Sequence, residues 1–239
     1  MKAGGLQISV VVPVYNHGKY LAEALESVLA QTWAPWEIIV IDSSTDDTAD
    51  TARRFLPRIR YLFSDRNGLG DARNRGVEAA RGDAVAHLDA DDVWLPDKLA
   101  VQAEALTARR ELELVGGYVE SFFSPDLPEE ARARIHCPAE SLPGLSASAL
   151  MVRRAVYDRV GPYETHWRLG ADLNWLLRVR DAGLETFIVP QVVVRRRLHA
   201  ENTGLRDREF VRERVLVLKQ AMDRRRKAKG GETEPGGEA

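Results

Sequence analysis

The segment 84–99, AVAHLDADDVWLPDKL, ends an apolar run in three aspartates, Asp89, Asp91 and Asp92. Carboxylates crowded at one place repel each other unless a cation or hydrogen-bond donors offset the charge. A hard divalent ion, Mg2+ or Mn2+, suits such oxygen ligands, and it is commonly held by one or two carboxylates with substrate phosphates completing its shell. Taken alone, the pattern also fits a polar cap in which Asp92 opens the next helix. Other chemistry-bearing residues follow other apolar runs: Tyr15 and Asn16 after Ile8–Val14, Asp42 after 37–41, and the stretch from Arg66 to Arg73 after 59–63. An arginine at a helix start favours phosphate oxygens, and a separate carboxylate suits a ribose or base N–H. Together these residues describe a pocket for a metal-bound nucleoside diphosphate.

The elements that must position them alternate. Ile8–Val14 reads as a buried strand, and Tyr20/Leu21, Ala24/Leu25 and Val28/Leu29 then recur at helical spacing. The same order repeats: strand 37–41, a helix capped within 43–48 and running to about Phe55, strand 59–63, helix 69–80, strand 84–88. Continuous apolar strands separated by helices imply parallel pairing with both sheet faces covered. Ligands then sit over the carboxyl ends of the strands, where the polar residues above converge.

Composition sets the class. With 239 residues, 44% hydrophobic and 29% charged, the chain suits one large α/β domain. A net charge of −2 argues against a nucleic-acid partner, whose footprint is strongly basic. The lone cysteine, Cys137, excludes an internal disulfide and suits a reducing compartment, and the N-terminal apolar run is too short to span a membrane. The expected location is therefore cytoplasmic.

Four blocks carry a family resemblance: VVPVYNHGKYLAEALESVLAQT, EIIVIDSSTDDT, GLGDARNRGVEAARGD and HLDADDVWLPDKL. In order and spacing they resemble the successive blocks of the family 2 glycosyltransferases, and GLSASALMVRRAVYDRVGPYE, LGADLNWLLR and RRRLHAENTG extend the match. The resemblance implies a GT-A fold, a Rossmann-like α/β/α sandwich with a mainly parallel central sheet, here with a C-terminal helical extension. It also implies a nucleotide-sugar donor, Mn2+ or Mg2+, and inverting transfer to an acceptor hydroxyl. Pro13, Val14 and Tyr15 resemble the wall of the base site, and Asp42 the aspartate that reads uracil when the donor is a UDP-sugar. Arg73 matches the arginine that reaches base and phosphates. Asp91 matches the metal-contacting aspartate, with Asp89 beside it on ribose, sugar or metal.

The chain departs from the pattern in three places, one being Gly70 and Asp71 where a serine often precedes the ARN block. Asp42 is followed directly by Ser43 and Ser44, one residue shorter than the usual turn, and the family's Glu-Asp pair appears as Ala171-Asp172. Asp172 occupies the position of the base that deprotonates the acceptor, in the first turn of a helix whose dipole stabilises its anion. His199 matches a histidine near the donor phosphates and is a candidate metal or phosphate ligand. Arg195 to Arg197 can clamp a diphosphate or an acidic acceptor, although strand alternation sends Arg196 opposite to its neighbours. Trp94 and Trp167 can stack on a sugar, with Trp94 the better placed.

Residues 1–206 are expected to form the GT-A domain, with a nucleotide-sugar-binding half to about 100 and an acceptor-binding half to 206. The segment 121–166 reads as loop-rich and selects the acceptor, a saccharide, a lipid-linked molecule or a small molecule. A helix over 207–229 should cover the domain through Val211, Val215, Leu218 and Met222, and 230–239 is expected to be disordered. Its basic cluster DRRRKAK is placed for peripheral contact with an anionic membrane surface at the inner face. Three rivals frame the reading. A dinucleotide oxidoreductase is disfavoured because Arg73 replaces the third glycine of its fingerprint, and a nucleotidyltransferase because 16–19 is a poor basic loop. A catalytically silent nucleotide-sugar-binding protein or partner subunit is the third.

Overall fold

The computed structural model describes residues 5–65, 68–144, 146–202 and 208–230. β1 (Ile8–Val14) is buried along its whole length, as a β-branched run between two covered faces must be. Through α1 (Gly18–Leu29), β2 (Glu37–Asp42), α2 (Thr48–Arg53), β3 (Arg60–Phe63), α3 (Leu69–Ala79) and β4 (Ala84–His87) the chain repeats strand and helix. The strands lie in the order β3-β2-β1-β4, all parallel, with Val14 beside Asp42 and Asp42 beside Phe63. Parallel register delivers all four carboxyl ends to one edge. Along β1 the side chains alternate: Val10 and Val12 pack with Leu21, Leu25 and Leu99 on one face, and Val11 packs with Ile39, Ala72 and Trp175 on the other. Gly76 of α3 makes the second layer possible, because a Cβ there would fall 2.1 Å from Val11 Cγ1.

The second half departs from simple alternation. It comprises β5 (Val93–Trp94), α4 (Lys98–Ala108), β6 (Leu114–Phe123), α5 (Glu129–Arg132), β7 (Leu142–Gly144), a 3₁₀ turn (Ala147–Ala149), β8 (Met151–Arg153), α6 (Ala155–Val160), α7 (Ala171–Asp181), β9 (Thr186–Leu198) and α8 (Arg208–Gly230). The sheet continues β4-β8-β6-β9-β5, with β8 antiparallel to β4 and β6, β9 parallel to β6, and β5 antiparallel to β9. The result is a mixed α/β fold in which a parallel half is extended by a mixed one, β8 and β5 running against the other strands. The segment expected to be loop-rich contains the end of β6, α5, β7 and β8. Asp92 lies in the turn before β5 rather than at a helix start.

One expectation is corrected outright. α8 is helical as predicted, but Val211, Val215, Leu218 and Met222 do not cover the domain; they are 63%, 60%, 46% and 52% exposed. The docked face instead presents Val217 and Ala221 to Leu177, with Leu173 and Trp167 alongside. Polar bonds select that face: Asn174 donates to Gln220 at 2.8 Å, and Arg224 and Arg225 pair with Asp181 at the end of α7. Residues 231–239 and Arg66 lie outside the described residues. Among those described, no helix is long and apolar enough to cross a membrane.

Candidate active site

Asp89, Asp91 and Asp92 leave the carboxyl end of β4, and Asp172 enters from the first turn of α7. All four line a cleft of about 900 Å³, together with Ser146, Leu169, Leu173, Leu176, Arg196, Asn202 and Arg214. Strand topology thus unites residues more than eighty positions apart.

Arg73 joins two of these carboxylates. It rises from α3 wholly buried, and its guanidinium donates to Asp89 Oδ1 at 2.7 Å and to Asp172 Oδ1. Burial works against its charge, but Asp172 and then Asp89 more than offset it, so its pKa is raised. Both donating nitrogens are committed to protein carboxylates. Two acidic side chains draw Arg73 inward, and it fixes them. Tyr163, Tyr157 and Trp175 stack behind it.

Asp91 is held from β9 and the turn that follows. Its Oδ2 lies 3.0 Å from His199 Nε2 and 3.3 Å from Asn202 Nδ2. The Glu201 N–H donates to His199 Nδ1 at 3.2 Å, which assigns the imidazole proton to Nε2, where Asp91 accepts it. Burial pushes Asp91 upward, but the bond from His199 and the nearby imidazoles hold it below the usual carboxylate value. Asp92 is driven well above that value by burial and by Asp91 and Asp89. It accepts the Arg197 N–H at 3.1 Å, while Arg197 Nε donates to the Asp91 carbonyl at 3.0 Å.

Divalent-cation chemistry fits one part of this arrangement. The 3.0 Å between Asp91 Oδ2 and His199 Nε2 is about the cis edge of an octahedron with 2.1 Å bonds. A cation on this pair would require the imidazole proton to move to Nδ1, and the Glu201 N–H that Nδ1 now accepts to turn away. Among the described residues no group of three or more His, Cys, Asp or Glu side chains could hold a metal unaided. Ligand phosphates would have to complete the shell.

The ends of β1 and β2 lie along the same sheet edge, although none of their residues lines the cleft. Pro13 and Val14 are buried in the sheet, whereas Tyr15 is 48% exposed. Asn16 takes a left-handed turn at φ 54°, accepts the Thr45 N–H at 2.9 Å and donates its own N–H to Ser44 Oγ at 2.8 Å. Asp42 is buried, accepting the Ser44 N–H at 2.8 Å and the Tyr61 hydroxyl at 2.7 Å. Burial and this carboxylate push the Tyr61 phenol up to about 12. Asp42 is thus the anchor of a closed turn.

The remaining candidates divide. Arg196 is exposed and lines the cleft, opposite to its neighbours as strand alternation requires. Arg195 pairs with Glu120, and Arg197 is buried against Tyr20 and Phe122. Trp94 does not face the cleft: it is 2% exposed and donates to the Ser148 carbonyl at 2.9 Å, because β5 turns its ring into the core. Trp167 is half-buried between α7 and α8. Reasoning from sequence missed Asn202, although it stands in the same RRRLHAENTG block as His199. It also missed Glu213, whose carboxylate accepts the N–H groups of Leu169 at 2.7 Å and Gly170 at 2.8 Å, at the start of the helix that carries Asp172. Gly170 permits that approach, since a Cβ would meet Val217 Cγ2 at 2.9 Å.

Known proteins place this architecture. An uncharacterized glycosyltransferase of Nostoc sp. is 33% identical over 184 residues, 70% of this chain and 57% of the relative. The uncharacterized glycosyltransferase YibD of Escherichia coli is 42% identical over 38% of this chain and 27% of its own length. The chain therefore spans little more than half of the first relative and about a quarter of the second. The crystal structure of S. aureus TarS 1-349 in complex with UDP-GlcNAc superposes with a TM-score of 0.68 at 18% identity, over 89% of this chain and 65% of that one. The description "Glycosyl transferase family 2" matches residues 9–161, well over half of the sequence, and the chain belongs to that family.

Proposed function

We propose that the chain moves a sugar from a UDP-sugar to an acceptor hydroxyl with inversion at the anomeric carbon. The observation that carries this reading is the meeting of Asp89, Asp91 and Asp172 in one cleft, with Arg73 fixing two of them from behind. TarS, of the same fold, has been crystallised with UDP and with UDP-GlcNAc, which supports a uridine nucleotide as donor. The first hundred residues would bind the donor, and the following half the acceptor, a saccharide, a lipid-linked molecule or a small molecule. The lone Cys137 supports a cytoplasmic setting.

In this reading Tyr15 stacks on the base, against a wall of Pro13 and Val14. Asp42 accepts a base N–H on a carboxylate lone pair that Tyr61 and Ser44 leave over. Arg196, projecting into the cleft, meets the diphosphate. Asp91 and His199 would hold Mn2+ or Mg2+ together with the donor phosphates, with Asp89 on ribose, sugar or metal; when bound the ion supplies positive charge against the departing diphosphate. Asp172, held by Arg73, takes the proton of the acceptor hydroxyl as it attacks.

Titration calorimetry with UDP, with and without Mn2+, tests the donor site. UDP should bind more tightly with Mn2+ and more tightly than GDP, and Asp91→Ala should abolish the metal-dependent part while leaving the thermal melt unchanged. Equal metal dependence in that variant overturns the assignment. The alternative of a silent nucleotide-sugar binder draws on Ala171, which is buried against Gly70 where the family has an acid. Failure to hydrolyse or transfer any bound donor would favour it.

A further inference from the structure

We propose that α8 is an interfacial helix that docks the protein on an anionic lipid surface, with the mouth of the catalytic cleft at that surface. The first observation is the exposed stripe. Val211, Val215, Leu218 and Met222 recur every three to four residues, and each is 46% exposed or more. At about 100° per residue they form one line along the helix. That line points away from Val217 and Ala221, which dock α8 on α7.

The second observation is the charge on either side. Arg212, Lys219 and Arg226 run along one flank of the stripe, and Arg214 and Arg225 along the other. Arg212, Arg214, Lys219 and Arg226 are exposed, whereas Arg225 is half-buried against Asp181. Between 211 and 227 the acids fall elsewhere on the helix: Glu213 on the docked face against α7, and Asp223 beyond the flank. Along the stripe and its immediate flanks α8 therefore presents only apolar and basic side chains, with the exposed Asp223 at the outer edge next to Arg212. An apolar stripe edged by Lys and Arg matches the boundary between acyl chains and anionic headgroups.

The same spacing is also that of a coiled-coil seam, so a second copy of this chain is the competing occupant. Charge decides against it. Arg212, Lys219 and Arg226 on one flank would face their own copies across an antiparallel seam, whereas phosphate headgroups complement them; Arg225 on the other flank is already matched by Asp181. Arg214 links the stripe to the chemistry, because it lies on the flank and also lines the cleft with Leu169, Leu173 and Asp172. An acceptor carried in the lipid layer would thus meet the base without leaving the surface.

Flotation of the full chain with vesicles tests this without any nucleotide, so its outcome is independent of the donor reading. Vesicles of three parts phosphatidylcholine to one part phosphatidylglycerol should carry the protein upward, and pure phosphatidylcholine should not. Val215→Asp with Leu218→Asp should lower the bound fraction roughly tenfold or more. Arg212→Gln with Lys219→Gln and Arg226→Gln should do the same with the stripe intact, and about 1 M salt should release the wild type. All changed positions are exposed, and an unchanged melting temperature verifies the fold. Absence of wild-type flotation overturns the proposal, as does equal flotation of either variant. So does a dimer in sedimentation velocity that the Asp variant dissolves, which assigns the stripe to a second copy, or an acidic protein that competes the chain off vesicles at stoichiometric concentration.

Discussion

Arg73 and Asp172, ninety-nine positions apart, form an ion pair in which the cation is wholly buried and the carboxylate keeps 29% of its side chain in water. The pair locks α3 to the first turn of α7, and through Asp89 it locks both to the end of β4. Removing the cation leaves two carboxylates facing each other. Arg73→Met should cost about 3 kcal/mol in urea denaturation, the low end for a broken buried pair because both acids retain some water. Adding Asp172→Asn should restore part of that loss. Strict additivity of the two changes, within about 0.5 kcal/mol, would show that the residues are uncoupled.

Glu213 reaches the same helix from the other side. Its carboxylate satisfies N–H groups that the first turn of α7 leaves without helical partners, and it places negative charge at the positive end of the helix dipole. Glu213→Ala should therefore cost about 1–2 kcal/mol, and Glu213→Gln less, since an amide carbonyl still accepts without the charge. Chemical denaturation of the two variants checks the order. Equal losses would mean that charge contributes nothing.

How far the site was legible depended on how local its signals are. β1, β2 and β4 are continuous apolar runs, so their carboxyl ends, and with them Asp42, Asp89 and Asp91, could be placed from sequence. Asp172 was placed by the helical repeat after it. Arg73 was located but its partners were not, because an arginine's choice between phosphate and carboxylate is made by residues on other strands. β9 runs thirteen residues; its Arg195–Arg197 run masks an alternation in which Arg197 turns inward and Arg196 outward. α8 deceived differently. Its docked face joins Val217 and Ala221 to Glu213, Gln220 and Arg224, residue types that are mostly solvated, and its apolar stripe faces out.

Lys98 gives the fold a pH dependence of its own. It is fully buried, donates to Gln102 Oε1 at 2.7 Å and lies 4.2 Å over the Trp94 ring, and burial holds its pKa well below 10.5. Where the native lysine is neutral and the unfolded one charged, the unfolded state binds more protons, so stability rises as pH climbs toward 10.5 and is lost as pH falls from there. Lys98→Met removes that dependence. The stability of the variant relative to wild type should therefore shrink between about pH 7 and about pH 10, at up to about 1.4 kcal/mol per pH unit. A gap constant across that range would show that Lys98 keeps its proton in the folded protein.

Asp172 supplies the test of the reaction itself. If its carboxylate takes the acceptor proton, Asp172→Asn removes the proton acceptor while keeping the side chain's size and one carbonyl oxygen for Arg73 to bond. In the proposed reading donor contacts arise from the ends of β1, β2 and β4, so UDP affinity should change little. Transfer should slow by roughly a hundredfold or more, as expected for a lost general base. A base facing the departing diphosphate across the anomeric carbon delivers the acceptor from the opposite side. The product examined by NMR should therefore carry the anomeric configuration opposite to that of the donor. An Asp172→Asn enzyme that transfers at the wild-type rate would move the base to another residue. Retention of configuration would require a nucleophile on the sugar's other face, and no reading of Asp172 as a base survives that result.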